Sequence, residues 1–254
     1  MTKHLVEDRR VKLIQMLNLS GSIRVRELAH HFGVTMETIR KDLLALEQQG
    51  LLQKRHGGAV ALHETLERPV DIRSEEHYEA KTRIAQAALG CLHDNMSIII
   101  DSGSTLLRFV ELIPQELKNL QIITNSFAAA NILLRQERQI CFIGGKLSAT
   151  TMATSGFLAS SALNLLGADI AFLGSSGFQS FRGPTVKDDA DAQVKKDMIK
   201  NARRAIVLAD ASKFTSNGFV QYADWSDVDL FITNHDAPEE ALRPIRLKTE
   251  VTLT

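Results

Sequence analysis

The chain has 254 residues, 30 Lys and Arg against 30 Asp and Glu, 44% hydrophobic residues and two cysteines. This composition suits a globular protein with a sizeable core, and two cysteines exclude a disulfide framework and fit a reduced cytosol. The sequence contains no apolar run of the ~20 residues that span a bilayer, and its charged N-terminus lacks the apolar stretch of a signal peptide. We therefore expect a cytoplasmic protein without a membrane segment.

The charges are unevenly distributed along the chain. Residues 1–60 carry ten basic and six acidic side chains, whereas residues 61–254 carry twenty and twenty-four. A small basic module beside a larger acidic one remains compatible with nucleic-acid binding, although the total net charge is zero. We expect a DNA-binding domain at 1–60, a linker at 61–78 that contains Pro69, and an α/β domain at 79–254.

The N-terminal module reads as three helices. A first helix is predicted within residues 5–19, with an inward stripe of Val11, Leu13, Ile14 and Leu17. A second helix, Arg26–Phe32, ends at Gly33, which suits a left-handed helix terminus. Thr35 is the expected N-cap of the third helix, Met36–Gln49. The spacing of Ala29, Gly33 and Ile39 is that of a helix-turn-helix.

The outer surface of this module carries the candidate DNA contacts. A helical wheel of the third helix places Met36, Ile39, Leu43 and Leu46 inward. After it, two short extended runs around a basic tip predict a hairpin wing. The candidate DNA-binding residues are Arg26, Thr35, Glu37, Thr38, Arg40, Lys41, Lys54, Arg55 and His56. The alternative is a three-helix protein-interaction domain with a solvated basic face.

From residue 79 onward, a helix at Glu79–Leu92 precedes short apolar runs that alternate with helical segments. The strand candidates are Ser97–Ile100, Gln121–Thr124, Gln139–Ile143, Asp169–Leu173, Ala205–Ala209, Asp229–Thr233 and Thr249–Leu253. The helix candidates are Thr105–Leu112, Phe127–Gln136, Phe157–Leu166, Asp188–Asn201 and Glu239–Leu242. This alternation predicts a mostly parallel sheet covered by helices on both faces.

Polar loops follow five of the predicted strands, at the sheet edge where parallel α/β folds bind ligands. Each loop alone could serve only to turn the chain or cap a helix. Together they favour a pocket for a small anionic polyol. Backbone amides and side-chain hydroxyls would bind its phosphate, lysines would supply positive charge, and Asp101 and Asp210 would bind the hydroxyls of the polyol. The candidate effector-binding residues are Asp101, Ser102, Gly103, Ser104, Thr105, Asn125, Ser126, Gly144, Gly145, Lys146, Ser176, Gly177, Lys195, Asp210 and Lys213.

Motifs for other chemistry are absent from the sequence. The segment at Gly144–Ser148 lacks the upstream glycine of a P-loop, and neither GxGxxG nor GxSxG follows a strand. Two cysteines without histidines at metal-ligand spacing predict no zinc site. We expect neither a cofactor nor a metal.

Five ordered blocks resemble the DeoR family of bacterial sugar-metabolism repressors. They are VRELAHHFGVTMETIRKDLLALEQQGLLQKRHGGAV at 25–60, IIIDSGSTLLRFV at 98–110, IITNSFAAANIL at 122–133, FIGGKLS at 142–148 and VLADASKF at 207–214. The resemblance implies a winged helix-turn-helix followed by a sensor domain like sugar-phosphate isomerases. It also implies a homo-oligomer, a dimer or tetramer, that binds operator DNA and releases it when a phosphorylated sugar or sugar alcohol binds.

Two positions depart from the pattern of this family. Many relatives carry Gly-x-Asp-Gly where this chain has Gly174-Ser175-Ser176-Gly177, and Glu-Ala where it has Asp191-Ala192. The alternative function is a sugar-phosphate isomerase or deaminase with an accessory DNA-binding domain. The missing carboxylate argues against it, because such enzymes need carboxylates for proton transfer. A third hypothesis is a regulator whose C-terminal domain only oligomerises.

Overall fold

The computed structural model describes residues 6, 9–14, 16–17, 22–49, 51–55, 57–61, 69–179 and 182–254. The chain divides into two compact units between residues 68 and 69. None of the helices in these described ranges is both long and apolar enough to cross a membrane.

The first unit is a helical module closed by a small antiparallel sheet. Its elements are α1 (residues 9–14 and 16–17), β1 (Ser22–Arg24), α2 (Val25–Phe32), α3 (Met36–Gln48), β2 (Leu52–Arg55) and β3 (Gly58–Ala61). The strands are ordered β1-β3-β2, and Leu52 pairs with Ala61 in the β2–β3 hairpin. The hairpin is the wing that the sequence predicts.

The core of this unit corrects two inward assignments. Leu13 and Leu17, one helical turn apart, are fully buried, but Val11 is 57% exposed because it lies about 200° around the helix from Leu13. On α3, Ile39 is fully buried, whereas Met36 in the first turn is 47% exposed. The buried stripe is therefore narrower than the periodicity predicts.

One charged side chain of α3 points into the unit. Asp42 is buried, and its two carboxylate oxygens accept hydrogen bonds from Arg9 Nε at 2.7 Å and Arg10 Nε at 2.9 Å. Two of the ten basic residues in 1–60 therefore pair with Asp42, and these ion pairs join α1 to α3.

The second unit alternates strands and helices. Its helices are α4 (Val70–Glu75), α5 (Tyr78–Leu89), α6 (Ser104–Glu111), α7 (Phe127–Arg135), α8 (Phe157–Leu163), α9 (Asp189–Lys200) and α10 (Glu239–Arg246). Its strands are β4 (Ser97–Ile100), β5 (Gln121–Thr124), β6 (Ile140–Phe142), β7 (Lys146–Ser148), β8 (Ala153–Ser155), β9 (Ala168–Leu173), β10 (Gly177–Gln179), β11 (Gly183–Val186), β12 (Ala202–Leu208), β13 (Val220–Gln221), β14 (Leu230–Thr233) and β15 (Glu250–Leu253).

Seven parallel strands form the main sheet, in the order β15-β14-β12-β9-β4-β5-β6. Alternate residues of each strand enter different cores. Ile98 and Ile100 of β4 pack in one apolar cluster and Ile99 in the other, because successive side chains of a strand point to opposite faces. This confirms the predicted doubly covered parallel α/β sheet.

Three features differ from the sequence-based expectation. The helix α4 lies inside the segment predicted as a linker: Pro69 precedes it, as a proline can at a helix start, and Val70 is buried. The β7–β8 hairpin and the antiparallel sheet β10-β11-β13 were not predicted. Their strands have two to four residues, too few for a detectable alternation.

Candidate functional site

The turn between α2 and α3 is built by local interactions. Gly33 has φ of +62°, a left-handed conformation, and Val34 N–H donates to Ala29 O at 3.1 Å. Thr35 then caps α3, because its hydroxyl accepts from Thr38 N–H at 3.2 Å. These bonds set the two helices of a helix-turn-helix in their relative orientation.

The exposed side of this motif presents mixed charges. Arg26, Glu37, Arg40 and Lys41 are all exposed, as predicted for residues that face a partner. Arg40 and Glu37 form an ion pair of 3.5 Å across one turn of α3. Such an exposed pair contributes little stability, so Arg40 can exchange Glu37 for a phosphate or a guanine edge.

A hydrogen bond joins the wing to α3. Lys54 N–H donates to Glu47 Oε1 at 2.7 Å, and the Lys54 side chain is half-buried. Arg55 ends β2, but its side chain and all of His56 lie outside the described residues.

In the second unit, the first strand-end cluster surrounds Asp101 after β4. Its carboxylate pairs with Lys195 of α9 and accepts from Gly174 N–H at 2.9 Å. Asp101 and Lys195 are both almost fully buried. Tyr222 lies beside them, with its ring centroid 5.6 Å from Lys195 Nζ and its hydroxyl donating to Gly174 O at 2.8 Å. Burial, together with the negative charges of Asp101 and Asp191, holds the pKa of Tyr222 well above its ordinary value.

A second cluster surrounds Asp210 after β12. Asp210 is buried, and one carboxylate oxygen accepts from Ser212 N–H at 3.0 Å. Burial acts to raise the pKa of Asp210, but Lys213, Ser212 and Lys81 outweigh it and lower that pKa below its ordinary value. Lys81 of α5 is also buried, so this edge of the sheet holds a compact group of opposite charges.

Four buried oxygen atoms at this edge have no hydrogen-bond partner among the described residues. They follow or end four strands of the main sheet: Asp101 Oδ1, Asn125 Oδ1, Asp210 Oδ2 and Thr233 Oγ1. Buried polar atoms are normally hydrogen-bonded, because desolvating them without compensation costs about 1–3 kcal/mol each. Oxygens of this kind suit the hydroxyl groups of a ligand.

Four other predicted ligand residues lie close to the first turns of α6 and α7. Ser102, Ser104 and Thr105 are buried at the start of α6, next to Asp101. Ser126 is occupied as the cap of α7, through a bond from Ala129 N–H of 3.1 Å.

The loops after β6 and β9 hold five further predicted ligand residues. Gly144, Gly145 and Lys146 are exposed around the start of β7, and Lys146 pairs with Ser155 of β8. Ser176 N–H donates to Thr185 O at 2.8 Å, and Gly177 begins β10, where a Cβ would lie 1.9 Å from Ser216 O. The backbone contacts of the last two residues have a structural explanation that needs no ligand.

Comparison with known proteins identifies both units. Residues 9–65 match the DeoR-like helix-turn-helix domain, and residues 76–235 match the DeoR C terminal sensor domain. The chain belongs to the DeoR family. The family resemblance predicted from the sequence is therefore confirmed. As a member of this family, the protein is a DNA-binding transcriptional regulator and not an enzyme.

The relatives span nearly the whole DeoR-family chain. The HTH-type transcriptional regulator GlpR of Haloferax volcanii is 30% identical over 228 residues, covering 89% of each chain. The glycerol-3-phosphate regulon repressor of Escherichia coli K12 is 28% identical over 232 residues, covering 91% of this chain and 92% of the relative. A D-ribose-5-phosphate isomerase in complex with phospho-erythronic acid superposes with a TM-score of 0.42 at 20% identity, over 54% of each chain.

The sequence does not predict three residues that lie at the candidate site. Lys81 lies in an ordinary amphipathic helix, Tyr222 in a short strand region, and Asn234 after β14, where its Oδ1 accepts from Ala211 N–H at 2.8 Å. Only Asn234 carried a usable signal, since a polar residue at a strand end fits the pattern of the other loops. The described residues contain no cluster of His, Cys, Asp and Glu able to hold a metal ion.

Proposed function

We propose that this protein represses a carbohydrate-uptake or catabolism operon and leaves its operator when a phosphorylated sugar or sugar alcohol binds the second unit. The supporting observation is the set of four buried, unpartnered oxygens at the carboxyl edge of the parallel sheet, beside buried lysines. The name of the relative from Escherichia coli, a glycerol-3-phosphate regulon repressor, agrees with a phosphorylated polyol.

The groups at the carboxyl edge of the sheet form two sets, one suited to the hydroxyls of such a ligand and one to its phosphate. Carboxylate and amide oxygens accept hydrogen bonds from sugar hydroxyls. The backbone N–H groups in the first turn of α6, together with the helix dipole, suit donation to the oxygens of a phosphate. Lys213 stands beside Asp210 and adds positive charge. We assign Asp101, Asn125 and Asp210 to the hydroxyls and Ser102–Thr105 with Lys213 to the phosphate.

A thermal-shift panel tests the ligand. The probes are sn-glycerol 3-phosphate, D-ribose 5-phosphate, D-glucose 6-phosphate and D-glucosamine 6-phosphate, each beside its unphosphorylated parent. A ligand at a hundredfold excess over its Kd stabilises by about 2.7 kcal/mol, or roughly 5–11 °C for a unit of this size. Lys213→Met is expected to remove the shift, and Lys196→Met, an exposed lysine of α9, to retain it. No shift with any phosphorylated probe would reject the ligand assignment.

Fluorescence anisotropy with DNA from upstream of the chain's own gene tests the DNA side. Arg40→Ala and Lys41→Ala are each expected to weaken binding and to reduce the salt slope by about 1 if they contact phosphate. Arg203→Ala, an 84% exposed arginine side chain of the second unit, is the control. Equal losses in all three variants would contradict the assignment of α3 as the reading helix.

We further propose that the regulator acts in the cytoplasm. We also propose that it is a homo-oligomer, a dimer or tetramer, because helix-turn-helix proteins read two half-sites with two copies. We expect a second copy of the chain to pack on α8, because Phe157 and Leu158 of that helix are 82% and 67% exposed. Phe219, directly before β13, is 79% exposed. Light scattering should give a lower mass for Phe157→Ser. An unchanged mass would show that Phe157 is not part of the interface between the copies.

A further inference from the structure

The main sheet ends at β6, and the outer side of this strand carries backbone groups suited to pairing. No other strand in the described ranges pairs with that side. Ile143 N–H, directly after β6, donates to Thr124 O of β5 at 2.8 Å. Backbone groups alternate along a strand, so Cys141, two positions earlier, also faces β5. The N–H and C=O groups of Ile140 and Phe142 therefore face outward and are available to a further strand.

Apolar side chains beside this edge are exposed. Phe142 is 40% exposed and lies edge-to-face with Phe127 of α7, their ring centroids 6.4 Å apart. Phe127 is itself 47% exposed, and Leu134, two turns later on the same side of α7, is 61% exposed. An exposed apolar edge strand readily accepts another strand, and proteins normally cover or charge such an edge. We therefore expect a partner strand on β6.

A second copy of the same strand fits this edge in an antiparallel register. A two-fold axis beside Cys141 places Ile140 of one copy opposite Phe142 of the other, and these two residues then exchange both N–H to O hydrogen bonds. The axis satisfies the outward groups of both residues at once, because they lie at equal distances from Cys141. Each such pair also sets a β-branched side chain against an aromatic one, a combination that stabilises antiparallel strands.

The charges that flank β6 are complementary under the same symmetry. Glu137 before the strand and Lys146 after it are both exposed. Antiparallel pairing brings the segment before β6 of one copy beside the segment after β6 of the other, so Glu137 of one copy and Lys146 of the other approach each other. Arg138, next to Glu137, donates to Pro114 O of its own chain.

The helix α8, which we propose above as a contact with a second copy, adjoins the same end of β6. A Cβ added to Gly145, three positions after β6, would lie 3.3 Å from the Cβ of Ala159 in α8. The edge of β6 and α8 can therefore belong to one interface.

We propose that two copies of the sensor unit associate through β6, which pairs antiparallel with β6 of the other copy about a two-fold axis beside Cys141. The pairing joins two seven-stranded sheets into one continuous sheet. This inference rests on the proposed homo-oligomer and states where its sensor units meet.

Cross-linking through Cys141 in the full chain tests the register. The two Cys141 residues would lie directly opposite each other in a pair without backbone hydrogen bonds, with Cα atoms about 4.5 Å apart, within the range of a disulfide. Oxidation with copper phenanthroline should give a species of twice the chain mass in non-reducing electrophoresis. Cys141→Ser should abolish this species, whereas Cys91→Ser, which removes the half-buried cysteine, should leave it unchanged.

A displaced thiol distinguishes this register from random collision. Gln139→Cys in the Cys141→Ser background moves the exposed thiol two positions along the chain. The two new thiols would be four positions out of register, about 14 Å apart along the strands, which is too far for a disulfide. No cross-link is therefore expected, and cross-linking equal to that of Cys141 would overturn the pairing.

Light scattering tests the strand edge without a cross-link. Phe142→Lys places a charge on the edge and should lower the mass. Leu247→Lys changes an 87% exposed leucine just before β15, at the opposite end of the sheet, and should not. An unchanged mass for a folded Phe142→Lys would overturn the pairing. If calorimetry shows that this variant is unfolded, Phe142→Ser takes its place.

The two measurements separate this inference from the proposed homo-oligomer. A wild-type oligomer in which Cys141 does not cross-link would overturn the β6 pairing and leave the homo-oligomer standing. A monomeric wild type would reject both. Anisotropy and the thermal-shift panel decide the operator and the ligand independently of either result.

Discussion

Replacing Asp42 by alanine should destabilise the DNA-binding unit without destabilising the sensor unit. Asp42 is 2% exposed, and each of its oxygens is bonded to a different arginine, Arg9 and Arg10. Truncating one partner of a buried ion pair costs about 3–5 kcal/mol. The arginine side chains are 16% and 28% exposed and can recover some solvation, so we expect about 2–4 kcal/mol.

This loss is large for a unit of fewer than seventy residues, whose total stability is about 3–10 kcal/mol. With roughly 4–8 °C per kcal/mol for a domain of this size, the first melting transition should fall by more than about 8 °C. Differential scanning calorimetry of the full chain measures it, and the sensor-unit transition serves as the internal reference.

The matched control is Glu37→Ala, which removes an exposed acid from the same helix. The Glu37 side chain is 64% exposed, and its ion pair with Arg40 should contribute no more than about 1 kcal/mol. A shift of the first transition in Asp42→Ala no larger than that in Glu37→Ala would refute the reasoning. So would an equal fall of both transitions in Asp42→Ala.

Three further outcomes are expected. Thr35→Ala should destabilise the first unit by about 1 kcal/mol, measured by urea unfolding, because it removes the cap of Thr38 N–H; no change would mean that the cap is unimportant. Gly177→Ala should destabilise the sensor unit in calorimetry, since its Cβ would lie 1.9 Å from Ser216 O, and an unchanged Tm would contradict that close approach. Lys81, with a pKa of about 8 against 10.5 in the unfolded chain, contributes stability that is fully present above pH 10.5 and lost as pH falls to about 8. Denaturant unfolding from pH 7 to 10 should therefore show wild type gaining stability over Lys81→Met with rising pH, and parallel curves would refute the burial of this charge.

The sequence alone determined the features that depend on neighbouring residues. The turn at Gly33 and the cap at Thr35 are local, and the ends of β4 and β5 agree with prediction because polar residues follow their apolar runs directly. The placing of Asp101 and Asp210 at one sheet edge also followed from the sequence, since parallel strands bring their carboxyl ends together.

Only the tertiary structure decided the pairings between distant residues. Asp42 is buried because α1 supplies Arg9 and Arg10 as its partners, more than thirty positions away. Lys81 looks like any lysine of an amphipathic helix, and Asp210, whose charge acts to raise the pKa of Lys81, lies 129 positions further along the chain. A buried charge is tolerated only when its partner arrives through the fold, and such a partner leaves no periodic or local signal in the sequence.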